Sequence, residues 1–60
     1  MDIKATVTGC RCGTTDGHQF VVERAGVVVR DEWHPVTSAF EINEKLAIVV
    51  SEAVFMERTS

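Results

Sequence analysis

The sequence predicts an α+β fold: a three-stranded antiparallel sheet packed against one C-terminal helix, in the order βββα. Three observations carry this. Residues 2–8 alternate polar and apolar side chains with the period of a half-buried strand. Two further strand-like runs, HQFVVER and VVVRDEW, flank a short Ala25-Gly26 turn. Residues 38–56 then hold twelve apolar side chains in nineteen positions, most of them at helical spacing.

In the first strand Ile3, Ala5 and Val7 fall on one side, and Asp2, Lys4, Thr6 and Thr8 on the other. It stops at Gly9. The stretch Gly9–Gly17, GCRCGTTDG, reads as a loop, because three glycines, two threonines and Asp16 favour turning backbone. In the second strand Phe20 and Val22 form the inward pair. Ala-Gly is a weaker hairpin signal than Asn-Gly, and two registers fit it. A two-residue loop sets Val22 opposite Val29 and Phe20 opposite Asp31. A three-residue loop with a bulge sets Val22 opposite Val28 and Val21 opposite Val29. His34-Pro35 closes the third strand, since proline cannot donate to the ladder.

The helix opens on Ser38-Ala39-Phe40-Glu41, the S-x-x-E pattern of a capping box. Ala39, Ile42, Leu46, Val49, Ala53 and Met56 then recur at spacings of 3, 4, 3, 4 and 3, a helical seam that Phe40, Ala47, Val50 and Val54 widen. Glu41, Glu44, Lys45 and Glu52 fall largely opposite. Ile48 and Phe55, seven residues apart, break that polar side, and two apolar side chains on one line point to a surface covered by another subunit. Five β-branched residues, Ile42, Ile48, Val49, Val50 and Val54, support an alternative: a small all-β, barrel-like fold with the C-terminal stretch as strands.

Sixty residues make one small domain, 1–60. A chain this short buries only about 60% of its unfolded surface, so a disulfide, a metal or self-association is expected to supplement the core. A homo-oligomer is the expectation here. The net charge of −3 argues against a binder of nucleic-acid backbone, which needs a basic patch. Residues 1–30 hold four basic and three acidic side chains, and residues 31–60 two basic and six acidic, so the acidity lies in the second half. No signal peptide is legible in residues 1–9, and the longest apolar run, Leu46–Val50, is far too short for a membrane span. A cytoplasmic location without membrane contact is expected.

Chemistry concentrates in residues 9–18 and at His34. Cys10 and Cys12, with His18 and His34, offer two thiolates and two imidazoles, a donor set that suits zinc, although C-x-C is tighter than the usual spacing. Antiparallel pairing of the second and third strands brings the two histidines close. The same cysteines could instead form a thiol or redox site, but no helix N-terminus follows to lower a thiol pKa. As a plain packing reading, one cysteine is simply a small apolar residue. Arg11, Gly13, Thr14 and Thr15 supply a cation, turning backbone amides and hydroxyls, the ingredients of a nest for a small anionic, nucleotide-like ligand. The order G-K-[ST] of a phosphate-binding loop is missing, and a plain surface connector explains the same residues. Trp33 reads as a core plug with its N–H satisfied. No Ser-His-Asp set can be placed, and a catalytic role is not expected.

The functional expectation is therefore a small, non-enzymatic, oligomeric binding module that acts by occupancy on a partner protein or a small anionic ligand. Inhibitors and ligand sponges encoded by phages or mobile elements are often chains of this kind. The alternatives are a zinc-stabilised domain built on Cys10, Cys12, His18 and His34, and a thiol or redox protein.

Overall fold

A computed structural model describes residues 2–59, with side chains described as far as Phe55. Three strands, β1 (Ile3–Gly9), β2 (His18–Arg24) and β3 (Val27–His34), precede one helix, α1 (Ala39–Thr59). The strands form an antiparallel meander with β2 in the centre. This is the predicted α+β arrangement. The helix also decides between the two readings of the C-terminal stretch: its β-branched residues sit in one continuous helix, because tertiary packing of an amphipathic face outweighs their small propensity cost.

One register runs through the whole β1–β2 hairpin. Ile3 pairs with Arg24, Val7 with Phe20 and Gly9 with His18. The same register continues past the strand ends, with Ala25 N donating to Asp2 O at one end and Cys10 N to Gly17 O at the other. Cys12 and Thr15 then exchange both backbone hydrogen bonds, so the hairpin closes on the two-residue turn Gly13-Thr14. Gly13 has φ +63°, the conformation that glycine adopts without steric cost. The expected Gly9–Gly17 loop is thus mostly an extension of the hairpin.

The β2–β3 connection is the two-residue Ala25-Gly26 turn, with φ of 51° and 82°. Positive φ at both central positions is the signature of a type I′ turn, whose twist matches that of the flanking strands. The two-residue register holds only beside the turn, where Arg24 faces Val27 and Glu23 faces Val28, and the three-residue register is not formed. A bulge between Val22 and Glu23 in the pairing adds one residue on β3, and beyond it Val22 faces Arg30, Phe20 faces Glu32 and His18 faces His34. The bulge exchanges the faces of β3: Arg30, Glu32 and His34 now lie on the side of Phe20 and Val22.

The core sits between β2 and α1. Phe20 and Val22 are completely buried, Val49 and Ala53 of α1 nearly so, and Ile3, Val7, Val36, Ile42, Leu46 and Val50 pack around them. The inward pair and the central part of the helical seam stand as predicted. Met56, the last seam residue, lies outside the described side chains. Phe40 and Ala47 do not widen the seam; both are exposed, Phe40 by 75%.

The helix start is built as its sequence suggests. Glu41 N donates to Ser38 Oγ at 3.2 Å, Ser38 Oγ donates to Glu41 Oε1 at 3.0 Å, and Ile42 N donates to Ser38 O as the first helical bond. Before it, Val36 N donates to His34 O across Pro35, a tight three-residue turn that folds the chain back over the sheet.

Candidate functional site

Three surfaces could carry function: the tip of the β1–β2 hairpin, a charged row along β3, and the outer face of α1.

At the tip, the register fixes which way each side chain points, because paired residues share a face and neighbours alternate. Cys10, paired with Gly17, and Cys12, paired with Thr15, lie on the side away from α1. Gly9, Arg11, His18 and His34 lie on the helix side. The two histidines do face each other across β2 and β3 as expected. Their rings are engaged separately, His18 Nδ1 donating to Val36 O at 2.8 Å and His34 Nε2 bonding Glu32 Oε1 at 2.9 Å. The two cysteines are exposed free thiols on the opposite face, and no group of three or more His, Cys, Asp or Glu suited to a metal ion occurs among the described residues. The four residues of the zinc reading are therefore not gathered at one point.

The anion-nest residues are also partly engaged. Arg11 Nε donates to Asp16 Oδ1 at 2.9 Å, an exposed pair directly across the hairpin. The amides of Cys12 and Thr15 close the turn on each other's carbonyls. Gly13 and Thr14, exposed at the turn itself, are the part of the nest left facing outward. Beside the tip, Trp33 Nε1 donates to Cys10 O at 2.7 Å, and its ring lies over Gly17. The tryptophan thus clamps the hairpin extension to β3, with its N–H satisfied as read from the sequence, but it is half-buried on the face away from Phe20 and Val22 and is not the core plug expected.

The charged row on β3 was not foreseen. Arg30 bridges to Glu32 on its own strand and to Glu52 Oε1 of α1 at 2.8 Å, and Glu32 also bonds His34. The His34 ring meets Phe20 edge-on, with centroids 5.6 Å apart. The hydrogen bonds from His34 and then Arg30 hold the Glu32 carboxyl below the ordinary carboxylate range. The sequence signal was present, since Arg30, Glu32 and His34 alternate at i, i+2 and i+4. It pointed to solvent until the bulge turned that face towards the helix.

The outer face of α1 is where apolar side chains stay uncovered. Phe40 is 75% exposed, Ile48 46% and Phe55 67%. Ile48 and Phe55 are the two residues that the sequence assigns to an interface, and Phe40 joins them. Two shallow hollows of about 430 and 340 Å³ flank the Ser51–Phe55 turn, one towards Arg30 and Glu52, the other towards Val50 and Val54. A second exposed apolar group, Val27, Val28 and Val29, lies at the bulged start of β3. No helix among the described residues is long and apolar enough to cross a membrane. Comparison with known protein families, with curated proteins and with solved structures finds no match to this chain.

Proposed function

We propose that this chain is a small, non-enzymatic, cytoplasmic binding module that self-associates and acts by occupying a partner protein. The observation that carries the reading is the outer face of α1. Among the described residues the largest fully buried side chains are Phe20, Val22 and Val49, whereas six large apolar side chains are exposed, three of them on that one helix face. Isolated exposed apolar residues are ordinary, but a grouped face of this kind marks an interaction surface.

Of the two occupants that the sequence offers, a protein fits the geometry better than a small anion. Arg11 is already paired with Asp16, and Arg30 already faces Glu32 and Glu52. A phosphate at either place would have to displace a carboxylate. The Glu32–His34 pair resembles an oriented acid–base pair, but Arg30 and Phe20 tie it into the sheet–helix junction. That supports a structural role for these groups.

Native mass spectrometry of the protein purified from cells tests the reading. The expected result is a mass of two or more 6.6 kDa chains without a required metal. A clean single-chain mass at micromolar concentration contradicts it.

A further inference from the structure

We infer that the outer face of α1 binds a second copy of this chain, the two helices packing antiparallel about a two-fold axis that passes between Ala47 and Ile48. The inference rests on the self-association just proposed and adds which face meets which, and in what register.

At 100° per residue, positions 40, 44, 47, 48, 51 and 55 fall within an arc of about 100° on the helix surface. That arc lies opposite the buried line of Ile42, Val49 and Ala53. Among the described side chains it carries Phe40 at one end, Phe55 at the other, and Ala47, Ile48 and Ser51 between them, with Glu44 as the one charge. The two phenylalanines stand fifteen residues apart, about 22 Å along the axis. Their midpoint falls between Ala47 and Ile48, so the face is self-complementary when one copy is reversed. Phe40 of each chain then lies beside Phe55 of the other, Glu44 beside Ser51, and Ala47 and Ile48 meet their own counterparts.

A two-fold interface needs that property, because the same patch must serve both partners. The small side chains Ala47 and Ser51 let the helices approach to the usual 8–10 Å. The hollows beside Ser51 and Phe55 give each Phe40 ring a place to enter. Covering both rings in two copies removes about 570 Å² from water, at roughly 200 Å² per aromatic side chain. The rest of the face brings the total towards the roughly 1,000 Å² of a specific interface.

Charge selects the direction. In a parallel pair Glu41, Glu44 and Glu52 would each stack on their own copy. Reversed about this axis, Glu41 lies level with Val54, Glu44 with Ser51 and Glu52 with Asn43, so no two acids share a level. The helix dipoles also oppose rather than align. The β3 edge, with Val27–Val29, is the competing surface for a second copy. Its bulge bends the strand there, a feature that protects an edge from pairing.

Disulfide trapping in the full chain tests the register, in a Cys10→Ser/Cys12→Ser background whose far-UV circular dichroism matches the parent. Light scattering on that background first establishes whether it self-associates; a single-chain mass there would defeat the self-association reading itself. Given a dimer, Ala47→Cys should cross-link to itself on mild oxidation, with Ile48→Cys as a second probe should one variant lose its fold. Phe40→Cys should not cross-link to itself, the two sites lying about 22 Å apart, but should do so when mixed with Phe55→Cys. A dimer in which Phe40→Cys traps itself, or in which only Val28→Cys on β3 traps, overturns the inferred packing while leaving self-association intact.

Discussion

A Cβ on Gly17 would lie 2.5 Å from the His34 carbonyl oxygen and 2.5 Å from the Trp33 ring, so this buried position tolerates only hydrogen. Gly17→Ala is predicted to push Trp33 off the hairpin, weakening its bond to Cys10 O, at a cost of about 1–3 kcal/mol, the usual range for overpacking. Urea unfolding followed by the single tryptophan checks this: the midpoint should fall, and native emission should shift to the red. Glu32 gives a prediction in pH. Its folded pKa is depressed by the hydrogen bonds from His34 and Arg30, so its contribution is complete above the unfolded value, roughly 4.3. That contribution is lost as pH falls through the lower folded value. Wild type and Glu32→Gln should differ by about 1 kcal/mol at pH 7, since the group is only half-buried. The gap should close as pH falls through the folded value, and a gap that stays constant from pH 7 into the acid range would refute the assignment.

Among the elements, the β2–β3 hairpin holds a residue its turn does not favour. Ala25 has φ 51°, and a left-handed conformation costs an ordinary L-residue roughly 1–2 kcal/mol. Ala25→Asn, which restores the preferred Asn-Gly pair of a type I′ turn, should raise stability by up to ~1 kcal/mol and leave the register unchanged. A lower melting temperature for that variant would mean the turn is not the one described. Strand and helix positions were legible in the sequence because each follows its own period, two in residues 2–8 and 3.6 after Ser38. Phe20, Val22, Val49 and Ala53 stood out for the same reason. The register of β3 was not legible. Inserting one residue at Val28–Val29 leaves composition and alternation intact, yet it moves Arg30, Glu32 and His34 to the helix side. The Gly13-Thr14 turn was similarly hidden among several turn-forming residues. Counting outward from it is what separates the cysteines from the histidines by face.

For the whole molecule, these details describe a thin two-layer body with a small core on the inside of α1 and a second apolar face on its outside. Ile48 and Phe55 were legible as misfits against the polar side of the helix. Phe40 was not, because its position also fits the edge of the inward seam. The separation matters for function, since it frees the outer face for a partner while Arg30–Glu52 ties the helix to the sheet. Sedimentation equilibrium of wild type and Phe55→Glu addresses that claim most directly. Wild type should sediment as two 6.6 kDa chains. Phe55→Glu should weaken the dimer by about 100-fold or more, as loss of a buried aromatic anchor does, with unchanged far-UV circular dichroism. A wild type that stays at one chain mass, or a Phe55→Glu variant as dimeric as its parent, would contradict the account.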